Sequence, residues 1–242
     1  MPKTKHHLEK SITKSSHLDA NNTSSNAQRI PENWPSEITF LRDHTYTPNV
    51  LSSDLVEKLS RAPSSDHDSW IKLPPTSPAL ISPNPQIFIE TITAPPTHPA
   101  MGQRGLFAAQ HLPPDTCILL YLGLVHTNSL SDTDPHSDYD LNLDRELGLS
   151  VDAATCGNES RCANDYRGIA ERPNAEFSDC FVQVPSSKRA EGVRWERRVA
   201  ISVLSAGKAG LRKAGIKAGE EILVSYGKGF WEGRKTVVSE DG

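Results

Sequence analysis

Toward the C-terminal end of the 242-residue chain, a strand-like run, Ile222-Leu223-Val224, delivers Tyr226 into a Gly-Lys-Gly bend followed by Phe230 and Trp231. A phenol so placed either fills space at the edge of a core or aims its hydroxyl at a reacting group. Taken singly, a strand-end tyrosine is more often core or interface. Two further stretches raise the same choice. "GQRGLFAAQHLPPDTCI" (Gly102 to Ile118) sets a glycine pair ahead of a strand. A residue without Cβ lets backbone N–H and C=O groups come close to a ligand, but as turn residues before an edge strand Gly102 and Gly105 need no ligand. "SVDAATCGNESRCANDYRGIAERPNAEF" (Ser150 to Phe177) gathers Asn158, Asn164 and Asn174 beside Arg161 and Arg172. Asparagine amides offer a donor and an acceptor face, which suits a heterocycle edge or an irregular loop; they are also ordinary turn formers.

The elements that must position these residues change in texture near residue 85. Residues 1–30 are rich in Ser, Asn, His and Lys without apolar periodicity, which predicts a disordered tail. Ser52 to Ala62 carries Leu55, Val56 and Leu59 behind a serine cap and predicts a short helix. The proline density from Leu73 to Pro85 excludes helix and central strand, so 31–84 reads as a flank ending in a linker. From 85 to 234, short β-rich runs punctuated by Gly, Pro, Asp and Asn predict a mostly β domain of small sheets with short helices. Residues 235–242 complete the chain as a second tail.

Composition narrows the function classes. A net charge of −4 gives no basic footprint for direct nucleic-acid binding. The longest apolar run, Cys117 to Val125, has strand length and predicts no membrane span. The N-terminus lacks an apolar targeting core, so export is not expected. Four cysteines without CxxC spacing read as reduced thiols in nucleus or cytosol and argue against a structural metal. Nothing marks an oligomeric state.

Taken in order, "GxxGLFA", then "VDA…GNxSRxxN…PN", then "IxAGEEIxxxYGxxFW" resembles the SET-domain protein-lysine methyltransferases, over roughly Gln86 to Trp231. The resemblance implies a SET fold of small β-sheets with a C-terminal pseudoknot, S-adenosylmethionine as cofactor and no metal. It implies that Gly102, Gln103 and Arg104 offer backbone atoms to the cofactor, together with Asn164, Asp165, Tyr226 and Trp231. Tyr226 matches the catalytic tyrosine. Tyr139, Val224 and Phe230 would wall the lysine channel, and Val224, where a larger ring is frequent, would leave room for more than one methyl group. The implied partner is a basic, lysine-containing protein, histone tails among them, in the nucleus or cytoplasm. The short loop with Asp132, Asp134 and Asp138 either attracts such a peptide or is a solvated acidic loop.

The chain departs from the family at Gln103, where glycine is frequent, and at Asp165, where histidine is usual. It also inserts "RGIAE" before Pro173, and it carries no cysteine-rich stretch after Trp231. A cover for the channel would come from 31–84 or from a partner. These departures keep a second function in view: a SET-like interaction module with little or no turnover.

Overall fold

The computed structural model describes residues 29–60, 63–185, 192–207 and 213–231. The expected tails, apart from residues 29 and 30, lie outside the described residues. The strands in chain order are β1 (Thr39–Phe40), β2 (Thr45–Tyr46), β3 (Ile71–Leu73), β4 (Ile87–Thr91), β5 (Arg104–Ala108), β6 (Cys117–Leu120) and β7 (Leu124–Thr127). They continue as β8 (Asp140–Asp144), β9 (Leu149–Asp152), β10 (Cys156–Gly157), β11 (Asn164–Asp165), β12 (Ala175–Pro185), β13 (Val193–Val203) and β14 (Leu223–Val224). The helical elements among the described residues are short, with α1 (Pro48–Leu51), α2 (Leu55–Lys58) and a further turn over 228–231. No helix among the described residues is long and apolar enough to cross a membrane.

Five small sheets result, as the alternation of short apolar runs and turn residues requires. β3-β12-β13-β6 and β2-β7-β9-β8 have four strands each; β4-β5, β1-β10 and β11-β14 are pairs. The β12–β13 hairpin pairs Ala175 with Val203 through to Pro185 with Val193 and forms the longest ladder. In β4, Ile87 and Ile89 point inward and meet Leu106 and Ala108 of β5 in the largest core cluster, the period-2 pattern expected of a half-buried strand. Val125, Leu143, Leu149 and Val151 anchor a second cluster under the β7-β9-β8 ladder.

Three expectations need correction. The run from Cys117 to Val125 is two strands, because the chain turns between Tyr121 and Gly123. A Cβ at Gly123 would lie 2.3 Å from the Asp152 carbonyl oxygen, so only glycine lets the backbones pass. Residues 31–84 are not a flank outside the sheets: β1 pairs with β10, β2 with β7 and β3 with β12. The proline-rich stretch is packed, with Leu73 and Ala79 buried against Cys180, Val182 and Ala200. Finally, the expected helix is the one turn of α2, its N-cap is Asp54 without a side-chain capping bond, and its register buries Leu59.

The C-terminal segment is held by three parts of the chain at once. Ile222 N donates to Leu106 O (2.8 Å), and Ala108 N to Glu220 O (3.0 Å). β14 then runs parallel to β11, pairing Asn164 with Leu223 and Asp165 with Val224. On its other side Asn174 N donates to Leu223 O (3.1 Å), Leu223 N to Asn174 Oδ1 (2.8 Å), and Asn174 Nδ2 to Glu221 O (2.8 Å). The last segment therefore passes between residues 164–165 and Asn174, the pseudoknot crossing that the resemblance implies.

Two outcomes follow from this packing. Asn174→Ala leaves Leu223 N and Glu221 O without their partner and is expected to cost about 2 to 3 kcal/mol in urea unfolding; a change under about 0.5 kcal/mol would mean that water replaces the amide. The second concerns the edge of β8. His126, on β7, is buried and both ring nitrogens face oxygens: Nε2 meets Asp140 Oδ1 at 3.1 Å and Nδ1 meets Thr127 O at 2.9 Å. Only the doubly protonated ring can donate to both, and the Asp140 hydrogen bond pushes His126 up to about 8, against the desolvation that opposes it. The folded state holds this proton more tightly than the unfolded chain, so the contribution, of order 1 to 2 kcal/mol, is complete below about pH 6.5. It is lost as pH rises through about 8. Unfolding titrations of wild type and His126→Gln should converge above that pH and diverge below it.

Candidate active site

The three stretches singled out in the sequence meet at one cavity of about 460 Å³. Its first wall is the turn before β5. Gly102 N donates to Ile92 O (2.9 Å), Ile92 N to Gln103 O (2.8 Å) and Gln103 N to Ala100 O (2.9 Å). Gly102 has φ +79°, the left-handed region where a side chain is strained, and a Cβ there would meet nothing within 4 Å. Glycine is needed here for conformation, and the space beside it stays open. Gly105 serves packing instead: its Cβ would lie 2.8 Å from Phe107 and 3.0 Å from Glu221 Oε1.

Behind this turn lies a polar relay that sequence reading missed. Ala100 N donates to His98 Nδ1 (3.1 Å), which fixes the ring proton on Nε2, where it is donated to Glu221 Oε2 (3.0 Å). Glu221 Oε1 accepts from Asn164 Nδ2 (2.8 Å), and the same amide reaches Arg104 O at 3.3 Å. One carboxylate thus ties the turn at 98–104 to Asn164. The signal was present in "GEEI", but the histidine partner lies 123 residues away and no spacing rule links them.

Asp165 is buried and accepts from every side. Its Oδ1 takes Arg167 N (2.9 Å) and Arg167 Nη1 (3.1 Å). Its Oδ2 takes Tyr226 N (2.7 Å), Arg167 Nη1 (2.8 Å) and the Trp231 indole N–H (3.3 Å). Beside it the Tyr226 hydroxyl donates to Ala163 O at 2.9 Å. Burial pushes this phenol well above its ordinary range, and the neighbouring Tyr139 and Asp165 push the same way. Phe230 meets Tyr226 edge-on at 4.8 Å, and Trp231 meets Phe230 edge-on at 5.3 Å, within a helical turn over 228–231.

Tyr139 lines the cavity, with the Arg161 guanidinium 4.3 Å from its ring centre. Arg161 is held there by Nε donating to Ala153 O (2.8 Å) and Nη2 to Ala154 O (3.3 Å). Tyr121 is structural: it is buried and donates to Tyr139 O at 2.7 Å. Val224 does not reach the cavity. It is fully buried in the largest core cluster. Of the acidic loop only Asp138 lines the cavity, while Asp132 accepts from Thr47 Oγ1 (2.9 Å) and Thr127 N (2.8 Å) and fastens the loop.

Two further segments complete the walls, one from the 31–84 stretch and one from the insertion before Pro173. Pro35 and Glu37 come from a strap before β1, fixed where Arg104 Nε donates to Asn33 O (2.7 Å) and Asn33 Nδ2 to Ile89 O (3.0 Å). Arg167 and Ile169 come from the inserted loop.

No family model matches the chain, and no curated protein matches it significantly. Among solved structures, the polycomb repressive complex 2 of Chaetomium thermophilum is similar at 23% identity and a TM-score of 0.39, over 59% of this chain and 15% of that one. The ctPRC2 complex in an autoinhibited conformation bound to S-adenosylmethionine is similar at 23% identity and a TM-score of 0.41, over 64% of this chain and 17% of that one. A humanized mutant of the Chaetomium complex bound to the inhibitor GSK343 gives 23% and 0.40, over 58% and 15%. The chain therefore spans about one-sixth of the length of those chains, and its chemistry is read from the cavity itself.

Glu221→Ala leaves the His98 and Asn164 donors facing each other across a gap. It is expected to cost about 2 to 3 kcal/mol by chemical denaturation, with faster amide exchange at Ala100 to Arg104. Unchanged exchange there would show that the relay does not hold the turn.

Proposed function

We propose that the cavity binds S-adenosylmethionine and that the protein transfers its methyl group to the side-chain amine of a lysine in a basic protein. Histone tails are the substrate class to try first, which would make this a nuclear, chromatin-directed enzyme. One observation carries the reading: the Tyr226 hydroxyl, the Asn164 amide and the open Gly102–Arg104 turn, distant in sequence, line the same cavity. The residues suit the group. The volume lies within the range of cofactor sites, the turn presents backbone without a side chain, and Phe230 and Trp231 bring aromatic rings, whose faces favour a cation, to the cavity wall.

When bound, the cofactor supplies an electrophilic methyl group on a cationic sulfur. The chain's own residues must do the rest. A lysine amine is protonated at neutral pH, and presenting it neutral at pH 7.4 costs about 4 kcal/mol. The Arg161 guanidinium on the Tyr139 ring opposes an ammonium by like-charge repulsion and lowers that cost. Tyr226 is not a base here, because its raised pKa keeps the phenol neutral. Its proton is already committed to Ala163 O, so the hydroxyl oxygen can accept an N–H of the incoming amine and turn the nitrogen lone pair toward the methyl group. Orientation of this kind supplies a large share of the acceleration in transfers between bound partners. Asn164 and the turn hold the cofactor side, and the rings exclude water.

The test is label transfer from S-adenosylmethionine to core histones, with calorimetric titration of the cofactor alongside. Tyr226→Phe should lose at least about a hundredfold in transfer while cofactor affinity stays within about threefold. Near-wild-type turnover in the variant would overturn the assignment of Tyr226. Cofactor binding without transfer by wild type would favour the interaction-module reading.

A further inference from the structure

We propose that Asp165 is a positioning residue: its carboxylate latches the aromatic turn carrying Tyr226, Phe230 and Trp231 to the inserted loop carrying Arg167, and so sets the wall of the cofactor cavity. This rests on reading the cavity as an S-adenosylmethionine site. Three features converge. The carboxylate is buried, with 4% of its side chain exposed, and its contacts are all donors drawn from both segments. Arg167 neutralises it and also lies over two aromatic rings, 5.0 Å from Tyr166 and 5.8 Å from Trp231. The inserted loop is itself braced. Ile169 N and Ala170 N both donate to Tyr166 O, and Gly168, at φ +80°, packs so closely that a Cβ would lie 2.7 Å from Pro99. The loop, the aromatic turn and the 98–104 turn are therefore pinned together around one buried charge.

A carboxylate suits this position and an amide does not. Arg167 donates to Oδ1 from its backbone and side chain, while Tyr226 N, the Trp231 indole and Arg167 Nη1 again donate to Oδ2. Whichever way an asparagine amide is turned, its NH₂ meets N–H donors on one side. Asp165→Asn should therefore release either the loop or the aromatic turn without changing side-chain volume.

The latch can be read without cofactor or substrate. In a proton–nitrogen correlation spectrum of the full chain, the Trp231 indole signal, assigned by its loss in Trp231→Phe, should move upfield in Asp165→Asn and exchange faster with solvent. Cofactor affinity by calorimetry should fall about tenfold or more, the scale of one lost charge-assisted hydrogen bond. Arg167→Lys, which keeps the cation but loses the guanidinium over Tyr166 and Trp231, should fall between wild type and Asp165→Asn in both readouts. Should Asp165→Asn fail to fold, Arg167→Ala takes its place, because that side chain is 37% exposed; a shifted indole signal and about threefold weaker binding are expected. An unmoved indole signal, or cofactor affinity within twofold of wild type in Asp165→Asn, overturns the latch. A wild-type protein that binds no S-adenosylmethionine overturns the cofactor reading, and the indole arm still decides whether Asp165 holds the turn.

Discussion

Every backbone donor and acceptor of residues 219–226 needs a partner, and no single neighbouring strand supplies them. From Ile222 to Val224 the segment is buried too deep for water to serve. Its groups are met in succession by β5, by β11, by the side chain of Asn174 and by the carboxylate of Asp165. These donors and acceptors come from three separate parts of the sequence. Satisfying one short stretch of main chain therefore forces three distant segments to a common place, and the cavity is the space left where they meet.

The same economy governs charge. Glu221 is nearly buried and faces two neutral donors, His98 and Asn164, whereas Asp165 faces a guanidinium. An unpaired acid at either position would be costly. As arranged, each acid converts its need for donors into a tether, one for the turn before β5 and one for the aromatic turn after β14. The phenol between them stays neutral, so the cavity holds its aromatic and carbonyl lining without a mobile proton.

The legible part of the site was contiguous. Gly102 to Arg104, Asn164, Asp165, Tyr226, Phe230 and Trp231 each lie within a few residues of a recognisable turn or strand end, and all line the cavity. Tyr139 was reachable because it stands immediately before β8, where its carbonyl oxygen accepts from Ala153 N and the Tyr121 hydroxyl and fixes the residue beside the cavity. Val224 was misread for a physical reason. Regular alternation would set it on the face of Tyr226, but β14 is only two residues long, and both of them are buried. The strands of 31–84 left no period-2 pattern because β1 and β2 are two-residue pairings whose stability comes from partners far along the chain. Glu221–His98 and Arg104–Asn33 were invisible for the same reason: a single hydrogen bond across many residues has no local signature.

The crossing of β14 between residues 164–165 and Asn174 also bears on how the protein is made. During synthesis the 164–174 loop emerges well before Gly219, and the donors it will use are unpaired until the last strand arrives. If that loop closed first, the later segment would have to enter a gap already filled. The order of events in the nascent chain must therefore keep the opening available, and a chain halted short of residue 219 would lack β14 and, from the cavity wall, Tyr226, Phe230 and Trp231. Such a truncated chain would leave the core cluster of Leu106, Ala108, Cys162 and Ala163 without Ile222 and Val224, the kind of apolar surface that holdase chaperones bind.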